Sequence, residues 1–307
     1  MATSILNAPQ FQNEAAAFAY VEAHLWPNGP VCPHCGSGDR VGRLNGKTTR
    51  PGLCKCYGCK KPFTARMGTI FEDSHLGLHL WLQIIHLMCA SKKGIGTRQI
   101  QRMLDCSMKT AWFLGHRIRE GMKDGSTDPI GGEGKTVEAD ETYLSKSPKT
   151  CKPVGTALNA KPAPQVFALV ERGGNIRSMY LDHRNVRAAL VKHLHEDSRL
   201  VTDGAQAYRF MVKDHESVDH SKFEWVRGDV HTNTLEGFFS IFKRGLVGVY
   251  QHMNNKHLNR YLAEFDFRQN TRAKLGITDV QRSEIALEGF KGKRLSYKTA
   301  HSETLMG

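Results

Sequence analysis

The sequence predicts an α/β domain in its C-terminal half, preceded by a cysteine-rich ribbon and a helical module. Three observations lead there. Strand-like and helix-like segments alternate beyond residue 134, Gly, Pro and Cys crowd residues 26–75, and apolar residues recur at helical spacing between Leu76 and Met122. A stretch rich in Gly, Ser, Asp and Pro, residues 125–134, reads as the linker between front and back.

Residues 1–25 form the first segment, with a short amphipathic helix over 10–25 that places Phe18 and Leu25 among its apolar positions. Residues 26–75 cannot hold a long helix. They carry two C-x-x-C pairs, Cys32/Cys35 and Cys56/Cys59, separated by 20 residues. Two such knuckles at this distance present four thiolates tetrahedrally to one zinc ion, and the gap fits the short strands of a zinc ribbon. Four protein ligands leave no open position for water, so this zinc is structural. Cys54 is a spare that offers a less usual C-x-C alternative to Cys56. A basic rim of Arg40, Arg43, Lys47, Arg50, Lys55, Lys60 and Lys61 suits phosphate, or is simply a solvated face.

Residues 76–124 form the helical module. Thr97–Leu104 reads as a short helix, Asp105-Cys106-Ser107 as a turn, and Ala111, Gly115, Ile118 and Met122 as one face of a second helix. Two helices joined by a three-residue turn match a helix-turn-helix, with a plain helical hairpin as the alternative. On the first reading Lys109 and Thr110 reach the groove of DNA. Arg98, Arg102, Arg117 and Arg119 then contact phosphate. Between residues 92 and 124 there are eight Lys or Arg against three acids, which favours that reading.

Beyond the linker, Lys135–Leu144 reads as a strand. Gln165–Glu171 and Ile176–Asp182 flank Arg172-Gly173-Gly174-Asn175 as a hairpin. Asn185–His195 reads as a helix, Ser198–Thr202 as a strand, and Thr234–Phe242 and Lys256–Asn270 as two further helices. The basic, loop-like segment 145–164 receives no assignment. Asp140 sits near the end of the first strand, Asp203 directly after the later one, and Glu236 early in a helix. Such carboxylates suit a pair of Mg²⁺ or Mn²⁺ ions, which polarise a phosphodiester and activate an attacking hydroxyl. Taken singly, each acid has an ordinary alternative, such as a turn residue or a helix-end charge. Lys243 lies two helical turns after Glu236 on the same face, placed to hold a DNA backbone. His231 and Asn233 precede the helix within reach of the same site, and Arg244 joins His231 as an expected DNA contact.

Charge and length agree with this division. The chain of 307 residues carries 43 Lys and Arg against 30 Asp and Glu, a net +13, which favours a polyanionic partner. No 18-residue apolar run predicts a membrane span, and no export signal or Walker-type phosphate loop is seen. Reduced cysteines and a cytoplasmic, nucleoid-associated location are the expectation.

Five stretches resemble one family: WPNGPVCPHCG at 26–36, CYGCKKPFTARMGTIFEDS at 56–74, VEADETYL at 137–144, VTDGAQAY at 201–208, and the long block from His231 to Arg272. They resemble the zinc-ribbon insertion-sequence transposases of the bacterial ISXO-like group, which belong to the DDE class. The resemblance implies an RNase H-like catalytic domain over residues 135–272. It implies cleavage at the terminal inverted repeats of a mobile element and joining of the 3′-hydroxyls to target DNA. Double-stranded DNA is then the partner, and two ends brought together imply a homodimer or larger assembly. Asp140 and Asp203 match the first two acids, and Lys243 the lysine. Glu236 and Asn233 both remain available as third ligand, with the spacing to Lys243 favouring Glu236. Glu138 and Glu141, beside Asp140, are candidate auxiliaries, with a structural role the favoured expectation. Residues 273–307 lie beyond the resemblance and read as a basic tail. An inactive zinc-ribbon and helix-turn-helix regulator, or another nuclease on the same fold, are the rival functions.

Overall fold

The structure is a computed structural model that describes residues 4–144, 164–181, 185–203, 208, 212–219 and 222–296. In chain order the helices are α1 (Pro9–Gln12), α2 (Glu14–Leu25), α3 (Leu78–Ala90), α4 (Thr97–Leu104), α5 (Met108–Gly121), α6 (Val186–His193), α7 (Asn233–Gly245), α8 (Asn255–Asn270) and α9 (Asp279–Glu288). The strands are β1 (Val41–Arg43), β2 (Cys54–Cys56), β3 (Pro62–Phe63), β4 (Thr136–Tyr143), β5 (Gln165–Glu171), β6 (Ile176–Leu181), β7 (Arg199–Thr202) and β8 (His215–Ser217). They fall into two compact units, Met1–Asp124 with Thr271–Gly307, and Gly125–Asn270. The segment 145–164, unassigned from sequence, lies outside the described residues apart from Pro164.

In the first unit the expected single helix over 10–25 is broken at Asn13. Its side chain accepts from the backbone N–H groups of Ala15 and Ala16 (2.8 and 3.1 Å) and so starts α2 afresh. The ribbon is a three-stranded antiparallel sheet in the order β1-β2-β3, with Trp26 edge-on to the buried Phe63 at 5.7 Å. The start of α3 is capped from a distance: Glu14 accepts from the Leu78 backbone N–H (2.6 Å) and from Arg66 (2.8 Å). Burial works against that carboxylate, but the His79 and Arg66 contacts prevail and hold its pKa low.

Residues 273–296 are not the tail expected from sequence. The helix α9 packs on α2 and α3, and Phe290 is fully buried against Phe71. Arg282 donates to the Cys89 carbonyl (3.0 Å), and Lys293 to those of Gly121 and Lys123 (2.8 and 2.5 Å). Gly121 permits this approach, because a Cβ there would lie 2.1 Å from the Phe290 ring. The segment thus packs against the end of α5, a helix that buries residues 114–119 almost all the way round.

The second unit is built on a five-stranded sheet in the order β6-β5-β4-β7-β8. The strand β5 pairs antiparallel with both β4 and β6, while β7 is parallel to β4 and β8 parallel to β7. The β5–β6 hairpin turns at Gly173, whose φ of +78° few other residues adopt. Side chains alternate across β5. Val166, Ala168 and Val170 face Leu235, Phe238, Phe242, Leu258 and Phe265 of α7 and α8. Phe167 and Leu169 face Val186 and Leu190 of α6. A sheet covered on both faces explains the nearly continuous apolar run in β5. The outer edge of β6 is closed by α8: the N–H groups of Ile176, Ser178 and Tyr180 donate to Asn270, Asp266 and Asn259 at 2.7, 2.8 and 2.9 Å.

Candidate active site

The two knuckles of the ribbon converge. Cys32, Cys35, Cys56 and Cys59 bring their sulfurs within 4.8 Å of one another, with Cys32–Cys59 at 3.7 Å and Cys35–Cys56 at 3.6 Å. A zinc tetrahedron with Zn–S bonds of about 2.3 Å has edges of about 3.8 Å, so the donor set fits that ion. The Cys59 and Gly58 backbone N–H groups, with neighbouring sulfurs, draw the Cys56 thiol down to about 7 against the opposing effect of burial. The thiolate is the form that binds metal. Cys54 is fully buried but is not among the converging four.

The acids of the second unit are assembled by strand pairing. The parallel register of β4 on β7 sets Glu138 opposite Val201, which brings Asp140 alongside Asp203 at the same end of the sheet. Asp140, Glu141 and Asp203 place one carboxylate oxygen each within 4.8 Å of the others. Burial, then the Asp203 charge, pushes Asp140 up to about 7, with Glu141 and Glu236 adding to the rise. Glu141 is raised too, first by burial and also by Asp203. Carboxylates that repel one another in a partly buried site are the setting a hard divalent cation relieves, so the donor set fits Mg²⁺ or Mn²⁺. Tyr208, fully buried, faces this group; burial and the charges of Glu141, Asp140 and Asp203 keep its hydroxyl protonated.

Glu236 lies in the first turn of α7, close enough to Asp140 for its charge to be felt there. Asn233 is the exposed first residue of the same helix, and Lys243 and Arg244 are exposed near its end. Arg244 folds back to the Ser240 carbonyl (3.1 Å). His231 is half-buried, with Nδ1 at 3.6 Å from Glu138 and 3.4 Å from Arg172.

The sequence favours a structural role for Glu141 over an auxiliary one, and neighbours on a strand ordinarily point to opposite faces. That rule weakens at a strand end, where two carboxylates can bend round to one point. Arg172, read only as a turn residue, proves to be a hub: it donates to Glu138 (2.9 Å) and to the carbonyls of Asp229 and His231 (2.6 and 2.8 Å). Nothing local in the sequence signals that role.

In the helical module α4 and α5 are joined by Asp105-Cys106-Ser107, with Asp105 left-handed at φ +45° and Ser107 capping α5 through the Thr110 N–H (3.1 Å). Arg98, Arg102 and Lys109 are exposed, and Thr110 is half-buried with its hydroxyl on Ser107 (2.9 Å). Two of the expected phosphate contacts are corrected. Arg117 and Arg119 are 4% and 2% exposed. Arg117 donates to the Glu72 carbonyl and lies between the rings of Trp81 and Phe113, and burial lowers it to about 10. Arg119 lies back along its own helix over Gly115. Arg117 is interior because the Glu72 backbone and Trp81 of α3 pack over it, a contact that the local sequence does not signal.

Both candidate centres lie in stretches that match known family models. An ISXO2-like transposase domain matches residues 131–270, and a transposase zinc-ribbon domain matches residues 12–62. The chain carries an ISXO2-like transposase domain behind a transposase zinc ribbon. A relative from Halobacterium salinarum, described as an uncharacterized protein in transposable element ISH50, is 27% identical over 285 residues. The alignment covers 87% of this chain and 94% of that one. The zinc-ribbon match ends just after the second knuckle, and the transposase-domain match spans Asp140, Asp203 and all of α7 and α8. No described helix of the chain is long and apolar enough to cross a membrane.

Proposed function

We propose that this transposase binds the terminal inverted repeats of an insertion sequence, cuts the DNA at the element ends and joins the freed 3′-hydroxyls to target DNA. The observation that carries the reading is the meeting of Asp140 and Asp203 on paired parallel strands, beside the helix that bears Glu236. The 3-2-1-4-5 strand order, with three antiparallel strands followed by two parallel ones, supports an RNase H-like sheet.

Asp140, Asp203 and Glu236 would hold two Mg²⁺ or Mn²⁺ ions, with Asn233 as the weaker, neutral alternative to Glu236 and Glu141 as an added carboxylate. Bound there, the ions supply Lewis acidity to the scissile phosphate and lower the pKa of the attacking hydroxyl. The chain's own residues do the rest. Lys243 offers its ammonium to the DNA backbone near the cut, and His231, just before that helix, and Arg244, near its end, add phosphate contacts. On the first unit, Arg98, Arg102 and Lys109 lie on or at the start of the two helices we read as a helix-turn-helix, with Thr110 beside them. The zinc is structural and keeps the ribbon folded. Pairing of two ends calls for a dimer or larger assembly on DNA.

Incubation with Mg²⁺, a labelled element end and a supercoiled target, beside Asp203→Asn, tests the reading. Joined products with the wild type and none with the variant are expected. Binding without cleavage in both would favour a regulator instead, and cleavage without joining a different nuclease.

A further inference from the structure

The first backbone N–H groups of any helix lack carbonyl partners within it, and a side chain at the N-cap usually supplies them. In α7 the N-cap residue Thr232 makes no such bond. The partner comes instead from 96 residues away. Glu138, fully buried on β4, accepts at Oε2 from the N–H groups of Thr234 (3.0 Å) and Leu235 (3.3 Å). Its Oε1 accepts from the Thr234 hydroxyl and from Arg172 Nε, both at 2.9 Å. A carboxylate at this end also complements the helix dipole. Arg172 completes the clasp by holding the Asp229 and His231 carbonyls of the chain that leads into α7.

This clasp joins two parts of the candidate centre. Glu138 is two residues before Asp140 on one strand, and its partners Thr234 and Leu235 immediately precede Glu236 on the helix. We infer that Glu138 is a positioning residue: through Thr234 and Leu235 it sets the distance between Asp140 and Glu236 and so tunes how tightly the centre holds a divalent cation. The inference rests on the proposed metal centre. It assigns Glu138 no contact with metal or DNA, since its oxygens are already taken by protein donors.

The test uses the full-length, zinc-loaded chain and Mn²⁺ binding read by electron paramagnetic resonance. Glu138→Gln should weaken Mn²⁺ binding about 10-fold, the scale on which partners of metal ligands act. Glu236→Gln should weaken it as well, and the double variant should bind no more weakly than Glu236→Gln alone, because both changes act through one group. Without metal, hydrogen exchange at residues 234 and 235 should quicken in Glu138→Gln. Wild-type affinity in Glu138→Gln, or additive losses in the double variant, would overturn the inference. If Glu138→Gln fails to fold, Thr234→Val removes one bond to Glu138 at constant shape. A loss of about threefold is then expected, the lower range for one hydrogen bond, and unchanged affinity would again overturn it. A wild type that binds no Mn²⁺, with Asp203→Asn no different, would remove the metal centre itself and the inference with it.

Discussion

Replacing Phe290 with alanine removes a ring that is wholly buried, edge-on to Phe71 at 5.7 Å, which in turn meets Trp81 at 5.2 Å. The ring also lies against Gly121, where no side chain can move in to fill the space. Truncating a fully buried Phe to Ala costs about 3–5 kcal/mol, from lost burial and the cavity left behind. The upper part of that range is expected, because the ring sits at a junction of α5, α9 and the segment around Phe71, whose backbones cannot all collapse together. For a unit of this size each kcal/mol shifts the melting midpoint by about 2–4 °C. The first unit of Phe290→Ala should therefore melt at least about 6 °C below the wild type in a calorimetric scan, while the second unit keeps its transition. A change of under about 1 kcal/mol is what a solvated tail would give. That result would refute the conclusion that residues 273–296 complete the N-terminal unit.

Other consequences follow from named contacts. Cys35→Ser should lose the stoichiometric zinc measured by a colorimetric chelator and lower the melting point of the first unit, because it removes one of four thiolates. Asp140 titrates near 3.8 when exposed and at about 7 in the fold, so the native state favours its protonated form. The sign is that of a raised acid: its contribution is fully present below pH 3.8 and is lost as pH rises through about 7. In metal-free buffer the second unit should thus lose stability across that window, Asp140→Asn should flatten the loss, and Mg²⁺ should reverse it at pH 8. Thermal melts across pH check all three, and a wild-type profile identical to that of Asp140→Asn would contradict the assignment. Lys109→Ala should weaken DNA binding and reduce the salt slope by about 1, as loss of one phosphate contact does. Arg117→Met should lower the melting point with little change in that slope, since Arg117 is interior; fluorescence anisotropy at several salt concentrations separates the two.

Much of the architecture was written locally. Knuckle spacing placed the four zinc ligands, since a C-x-x-C pair must turn tightly whatever surrounds it. Period-2 and period-3.6 patterning located β4, β5, β6, α6, α7 and α8 to within a few residues, because alternation and helical stripes record which face is buried. The short strand β8 escaped, as three half-buried residues carry too little pattern. The sequence also marked Asp140, Asp203 and Glu236 as candidates, by their type and their place at element ends. Only the tertiary structure decided what surrounds them. The parallel register of β4 on β7 made two distant aspartates neighbours and brought in Glu141. Packing between distant segments made Arg117 and Arg119 interior rather than surface cations, Arg117 against the Glu72 carbonyl and Trp81. Glu138, one acid among several in a strand, became the cap of a helix 96 residues on. Local pattern encodes what a segment prefers within a turn or two. Which segment covers which face, and which donor meets which acceptor, depends on contacts between residues far apart in the chain, and these exist only once the fold has closed.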